Sequence, residues 1–264
     1  MKKIFLLLTL ATMVLASCGK DKEEDNLVQK ILGKWMLTEV NGRTLPTNEK
    51  VVITFVSDTE GYISASRVVN NENHLMWTNH VPGQVEVEGK TISMFGSLNK
   101  TTSFTSIVEV SSISSTEVKG KMKYTVYKNG ESQYQTESTV CWTKVEKDFG
   151  NDILGTWEGH VTSSEGSEYD DGELHRWEYL PDGSYIYYHK DENGEWVANI
   201  NDLSEYFVDG PLLCTRWRNT GEEEYNHEWW EIASLENGVM NWTALRQRED
   251  GSTYTATFSM TRIQ

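Results

Sequence analysis

Apolar and polar residues alternate along most of this chain, in short stretches separated by turn-forming residues. The end of the chain shows the pattern most plainly. Tyr254, Ala256, Phe258, Met260 and Arg262 fall on one face of an extended segment; Thr255, Thr257, Ser259 and Thr261 fall on the other. A period of two is that of a half-buried strand, and it points Arg262 inward with Phe258 and Met260. The breaks place Gly beside Asp or Asn, as in Pro181-Asp182-Gly183, Glu192-Asn193-Gly194, Asp250-Gly251 and Lys128-Asn129-Gly130. Such pairs supply the positive φ that tight hairpins require. In the second half, eight to nine strands are predicted to start near Thr156, Leu174, Tyr185, Trp196, Glu205, Leu212, Tyr225, Val239 and Thr253. Short turns between successive strands give an antiparallel meander, and rolling it into a barrel removes the exposed edges. The helical signals are single turns at 27–32 and 153–154, with Asn26 and Asp152 as capping residues.

The pattern also repeats. Ile31-Leu32-Gly33-Lys34-Trp35 returns as Ile153-Leu154-Gly155-Thr156-Trp157, an offset of 122. Val87-Glu88-Gly89 returns as Val208-Asp209-Gly210 at 121, Trp77 falls near Trp196 at 119, and Thr143-Lys144-Val145 returns as Thr261-Arg262-Ile263 at 118. Four correspondences in order, at a nearly constant offset, indicate a tandem duplication. The unit is a whole domain, since solenoid repeats run to roughly 20–50 residues. The expected organisation is all-β: two tandem antiparallel meander barrels of about eight strands each, over 27–147 and 153–264, joined by a linker at 148–152.

Gly-x-Trp on each first strand, the meander, and a basic residue on each last strand together resemble the lipocalin-like members of the calycin superfamily. The resemblance implies that Trp35 and Trp157 lie across the closed ends of their barrels. It also implies that Lys144 and Arg262 pack on those indoles, with Gly33 and Gly155 completing each closure. A cation over an indole face contributes roughly 0.5–2 kcal/mol, and Arg stacks better than Lys. The units are shorter than a secreted lipocalin and have no Thr-Asp-Tyr-type second motif and no C-terminal helix. The resemblance is therefore to the broad calycin-like group.

The N-terminus reads as an address. Lys2 and Lys3 precede an apolar run of 13 residues, 4–16, short of the roughly 20 that span a bilayer as a helix. A basic start, a short apolar run and small residues at its end describe a secretory signal, residues 1–17. Leu15-Ala16-Ser17-Cys18 resembles the lipobox of bacterial lipoproteins. That implies cleavage before Cys18 and acylation of Cys18 with palmitate-type chains, a stable membrane anchor. Residues 18–26, with Gly19-Lys20-Asp21-Lys22-Glu23-Glu24-Asp25, cannot bury enough surface to fold and form a tether. They also resemble the acidic signal that sends Bacteroidota lipoproteins to the cell surface. The implied location is the outer membrane, lipid-anchored and exposed on the surface.

Composition then narrows the chemistry. Among 264 residues, 40 are acidic and 24 basic, a net charge of −16, which argues against nucleic acid as a partner. The charge is uneven: residues 27–149 carry 13 acids and 13 bases, residues 150–264 carry 23 and 7. Tryptophan is uneven too. The second unit holds Trp157, Trp177, Trp196, Trp217, Trp229, Trp230 and Trp242, against Trp35, Trp77 and Trp142 in the first. His227-Glu228-Trp229-Trp230-Glu231 lacks the second His that a zinc-protease helix needs four residues on. His74, His80, His160, His175 and His189 are scattered, without the close ligand pairs of structural metal sites. Glu222-Glu223-Glu224, Asp170-Asp171 and Asp191-Glu192 fall in hairpin loops, where they stay solvated. Cys141 and Cys214 sit at non-equivalent positions and read as small buried side chains rather than a disulfide. Neither a metal nor a cofactor is expected, and no catalytic constellation appears.

The aromatic residues remain as candidates for function: Trp177, Tyr187, Trp217, Tyr225, His227, Trp229, Trp230 and Trp242. Trp side chains fill cores and also stack on ligands. Adjacent strand residues face opposite ways, so Trp229 and Trp230 divide between inside and outside. Trp230 shares a face with Ile232, which puts Tyr225, His227 and Trp229 outside; the reverse assignment makes those three line a polar lumen. The expectation is a lipid-anchored, non-enzymatic binding protein for a small hydrophobic or glycan-type ligand. The alternative is a protein- or surface-interaction module whose barrels are solid.

Overall fold

A computed structural model describes residues 27–65, 78–164, 173–247 and 253–263. Cys18, His74, Trp77, Asp170 and Asp171 lie outside these residues, as do the signal and tether. The chain is all-β and antiparallel, with a helical turn at 27–31 and a 3₁₀ turn at Thr47–Glu49.

The first sheet runs through β1 (Gly33–Val40), a short β2 (Arg43–Thr44), β3 (Val51–Phe55), β4 (Glu60–Ala65), β5 (Thr78–Glu88), β6 (Thr91–Ser97), β7 (Thr102–Ile113), β8 (Glu117–Lys128) and β9 (Glu131–Lys144). From β3 onward each strand pairs with the next, and β9 returns to β1. Leaving aside the flap β2, eight strands close into a barrel. The second sheet comprises β10 (Gly155–Ser164), β11 (His175–Tyr179), β12 (Tyr185–Lys190), β13 (Trp196–Ala198), β14 (Asn201–Asp209), β15 (Leu212–Asn219), β16 (Asn226–Glu236), β17 (Val239–Gln247) and β18 (Thr253–Ile263). Its order is β13-β12-β11-β10-β18-β17-β16-β15-β14, and its two edges do not share a ladder.

The difference between the two sheets lies at one seam. In the first barrel β4 pairs with β5 from Glu60 opposite Gln84 to Ala65 opposite Thr78. In the second, β13 folds back and takes the edge of β12, with Tyr188 opposite Ala198 and Lys190 opposite Trp196. That occupies the hydrogen-bonding groups β14 would have used. Among the described residues the backbones of the two edges meet through a bridge, Ser184 with Glu205, and the Tyr206 N–H donating to the Gly183 carbonyl at 2.8 Å. The second sheet is thus a partly open barrel, against the sequence expectation that closure would remove every edge.

The duplication is visible in backbone detail. Gly33 and Gly155 have φ of 101° and 107°, a region open to glycine and strained for other residues. The Trp two residues after each is fully buried, and the Trp35 indole N–H donates to the Ile31 carbonyl and the Trp157 indole N–H to that of Ile153, both at 2.6 Å.

The interiors differ. In the first barrel Gly61, Gly83 and Gly96 lie opposite one another across β4, β5 and β6. Met94 and Phe104 lie where Cβ atoms at these glycines would be, so glycine makes room for two large side chains. With Trp35, Trp142, Phe55 and a ring of valines the lumen is filled. The second interior is aromatic, built on Trp157, Trp177, Tyr179, Trp230, Trp242 and Phe258.

The barrels touch. Met36 and Val52 on the first pack with Leu212 on the second, beside Val145 of the connection. The Lys34 ammonium lies 2.5 Å from carboxylate oxygens of both Asp148 and Asp209, and Lys50 pairs with Glu231 at 2.5 Å.

Candidate functional site

The open seam creates a mouth in the second barrel. A cleft of about 340 Å³ is lined by Glu173, His175, Trp177, Tyr185, Tyr187, Asn199, Asn201, Trp217 and Glu228. Strand parity explains the set. On β11 and β12 the inward residues are His175, Trp177 and Tyr179, and Tyr185 and Tyr187. On β15 and β16 they are Leu213, Thr215 and Trp217, and Glu228, Trp230 and Ile232. Toward the Trp157 end, these rows meet large buried rings and the interior is full. Toward the seam, β14 diverges from β12, and the same rows border open space.

The walls are organised by ring contacts. Trp177 lies opposite Tyr187 in the ladder, with ring centroids 5.1 Å apart. His175 stacks on Trp177 at 5.4 Å, and its Nδ1 lies 3.2 Å from the Tyr187 hydroxyl. Below, Trp177 meets Trp242 edge-on at 5.4 Å, and Trp230 and Trp242 lie 5.0 Å apart. The Trp230 indole N–H reaches the buried Thr215 hydroxyl at 3.4 Å. Edge-to-face packing of this kind adds about 0.5–1.5 kcal/mol per pair beyond area burial, which makes a rigid floor. The rim is polar. Burial first, and the nearby Glu228 carboxylate second, hold the Tyr185 hydroxyl well above its ordinary pKa. Asn199 is fixed by its backbone N–H donating to the Tyr187 carbonyl at 2.8 Å.

The eight aromatic candidates separate into three groups. Trp177, Tyr187 and Trp217 line the cleft. Trp230 and Trp242 are 2 % and 0 % exposed and form its floor, so they support the walls and do not themselves face the open cleft. Tyr225, His227 and Trp229 stand on the outer face. There His227 stacks on Trp229 at 6.1 Å, and the Arg216 and Arg218 guanidiniums lie 4.7 and 5.4 Å from the Tyr225 ring. Of the two assignments open in the sequence, the structure has Trp230 inside and the Tyr225–His227–Trp229 stripe outside. Burial, and then the Arg216 charge, lower the His227 pKa.

The sequence reading did not single out Tyr185, His175, Glu173, Glu228, Asn199 or Asn201. A parity signal was available for three of them. Tyr185 is two residues from Tyr187, His175 two from Trp177, and Glu228 two from Trp230. The asparagines owe their place to the path of the β13–β14 connection, which no periodicity encodes.

At the other end, Lys144 Nζ lies 4.4 Å above the Trp35 ring and donates to the Leu32 carbonyl. Arg262 lies 4.5 Å above the Trp157 ring and donates to the Asp152 carbonyl at 2.5 Å. Both stand directly across the ladder from their Trp. Arg262 is exposed, however, and does not point into the interior with Phe258 and Met260. It lies beyond the last core layer, where its head caps the indole from the solvent side. Cys141 and Cys214 are buried and are not joined in a disulfide. Among the described residues, no group of three or more His, Cys, Asp or Glu is placed to hold a metal ion.

Fold and site together define an all-β protein of two antiparallel barrel-like sheets, one closed and filled, the other open at an aromatic mouth. No family model matches the chain, and no curated protein matches it. Among solved structures, intact Ap-TbpB with its N and C lobes is similar over 81 % of this chain and 61 % of that one, at 8 % identity and a TM-score of 0.25. This chain spans about three fifths of that protein's length. A likeness of that size carries no argument about ligand or partner.

Proposed function

We propose that this protein is a lipid-anchored binding protein of the cell envelope, held through acylated Cys18 at the outer membrane, and that it carries a small ligand in the mouth of its second barrel. The observation that carries the reading is the cleft at the β12–β14 seam: rigid aromatic walls over a solid floor, with carboxylates and amides at the rim. Its volume of about 340 Å³ is at the small end of ligand pockets. A flat apolar face, such as that of a sugar ring or a small hydrophobic molecule, fits Trp177 and Trp217, while donors on the ligand meet Glu228, Glu173 and the asparagines. In this reading the first barrel is a filled spacer, the protein acts by binding and not by catalysis, and its resemblance to lipocalin-like proteins extends to having one open mouth.

Native mass spectrometry of protein taken from its own envelope tests the proposal. A small adduct on the wild type, lost in Trp217→Ala, is expected. No adduct on either protein, with identical tryptophan emission in the presence of envelope extract, overturns it. A second reading rests on the outer stripe of Tyr225, His227 and Trp229, flanked by Arg216. An aromatic patch edged by Arg is the composition of a protein-docking surface. Under that reading, Trp229→Ala abolishes partner binding and Trp217→Ala does not.

A further inference from the structure

The lining of the cleft has one chemical character throughout. Five of its nine residues are aromatic or imidazole rings, and four, Glu173, Asn199, Asn201 and Glu228, are carboxylates or amides. All nine carry a hydrogen-bonding group, since each ring brings an indole N–H, a phenol hydroxyl or an imidazole nitrogen. The aliphatic side chains of this barrel pack elsewhere: Val161, Leu213, Ile232, Leu235 and Met240 belong to the filled core. The stretches of the second unit outside the described residues, 165–172 and 248–252, consist of Gly, Ser, Asp, Glu, Arg and Tyr, with no aliphatic residue. The carboxylates and amides come from separate elements around the mouth. Glu173 precedes β11, Asn199 and Asn201 flank the exposed Ile200 where β13 turns into β14, and Glu228 is on β16.

An aliphatic ligand fits such a lining poorly. Each polar group it dries without offering a partner costs about fivefold to a hundredfold in affinity, and a site made of such groups rejects a molecule that lacks the matching hydroxyls. A planar heteroaromatic ligand is held best between two parallel faces. Here Trp177 and Tyr187 meet at 41°, and His175, at 16° to Trp177, is stacked on that ring itself. The cleft presents tilted ring faces with carboxylates and amides around them. A pyranose has the complementary surface, with C–H groups on its face for a ring to cover and hydroxyls around its edge. Hydroxyls donating to an ionised carboxylate make bonds roughly twice as strong as neutral ones, and an amide both donates and accepts. Trp177 is 8 % exposed while Trp217 is half-buried, so Trp217 offers the larger open face. Resting on the reading that the mouth is a ligand site, we infer that its ligand is a sugar, a single ring or the end of a glycan chain. Its C–H face lies on Trp217, and its hydroxyls are held by Glu173, Asn199 and Asn201.

Tryptophan emission and calorimetric titration of the full chain test this. The probes are the methyl glycosides of glucose, galactose, mannose and N-acetylglucosamine, with cyclohexylmethanol as a ring bearing a single hydroxyl and 9-methyladenine as a planar heteroaromatic. A glycoside of this set is expected to bind with a Kd of about 1 mM or tighter, and at least about tenfold more tightly than cyclohexylmethanol or 9-methyladenine. Trp217→Ala should abolish that binding. Asn199→Ala keeps the backbone bond to Tyr187, and Glu173→Gln changes another exposed side chain. Each should weaken the glycoside about fivefold or more while leaving the melting temperature unchanged. A glycoside that binds wild type and both of these variants alike overturns the inference. If cyclohexylmethanol or 9-methyladenine binds as tightly as every glycoside, with an emission change that Trp217→Ala removes, the sugar inference is wrong while the ligand-site reading stands. If no probe binds, the sugar inference is wrong, and the native mass spectrum decides the ligand-site reading separately: an adduct that depends on Trp217 keeps it, and no adduct removes it.

Discussion

Lys34→Met removes one of the cations that join the two barrels. Lys34 Nζ sits 2.5 Å from both Asp148 and Asp209. The partners differ in environment: the Asp148 side chain is 43 % exposed and the Asp209 side chain 7 %. Losing an exposed pair costs about 0–1 kcal/mol, so Asp148 contributes little. Asp209 is left buried without its counter-charge, and removing one partner of a buried pair costs about 3–5 kcal/mol. Lys34 is itself 30 % exposed, so water reaches one side of the pair, and a loss of about 2–3 kcal/mol is expected. Burial already raises the Asp209 pKa despite Lys34, while the two carboxylates raise that of Lys34 despite its own burial. Both directions follow from one geometry, in which the lysine gains from two acids and the acid is the more deeply buried member. In the variant the Asp209 pKa rises further. A folded-state pKa above the unfolded value means that folding takes up a proton. The variant is then least destabilised near the unfolded carboxylate pKa of about 4 and loses stability relative to wild type as pH rises through the folded value. Within that window the difference grows by up to about 1.4 kcal/mol per pH unit. Urea denaturation at several values between pH 5 and 8, followed by tryptophan emission, measures it. Adding Asp209→Asn should recover most of the loss and flatten the pH difference. A Lys34→Met variant within about 0.5 kcal/mol of wild type at every pH, or a constant difference across pH, would refute the reasoning.

Other expectations follow from single contacts. Arg262→Ala removes the cap on Trp157 and a donor to the Asp152 carbonyl, and should lower the stability of the second barrel by about 1–2 kcal/mol; an unchanged melting curve would show the cap to be incidental. Gly159→Ala would drive a methyl group into the Ser259 carbonyl across the β10–β18 ladder. Backbone cannot yield as a side-chain tip does, so a loss of more than about 3 kcal/mol or failure to fold is expected, and wild-type expression and melting would contradict the close approach. Cys18→Ala should release the protein from membranes, checked by fractionation; a protein that still sediments with membranes would remove the acyl anchor from the proposed function.

Much of the β architecture can be read from the chain. The strand starts near Tyr185, Leu212, Val239 and Thr253 coincide with β12, β15, β17 and β18, because alternation and Gly-containing turns are local signals. β14 begins at Asn201, four residues before its expected start near Glu205. The residues involved, 201–204, are polar or half-buried along the seam and lack a clear alternation. The candidate site was legible only in part. Trp177, Tyr187 and Trp217 stand among eight candidates that the tertiary structure sorts into wall, floor and outer face.

The sequence by itself determined the class of fold and its internal repeat, while the pairing of each Gly-x-Trp with a basic last-strand residue followed from the family resemblance. These depend on side-chain order along single strands and on backbone conformations that glycine alone adopts easily. Tertiary structure decided which side of each strand became the inside, since alternation is symmetric until the sheet curls. It also decided that β13 rather than β14 took the edge of β12, a competition between two partners for one row of hydrogen-bonding groups. From that choice came the open seam, the mouth lined by Trp177, Tyr187 and Trp217, and the place of Glu228 within it. The Lys34–Asp209 joint arose in the same way, from residues 175 positions apart that meet only once both barrels have formed.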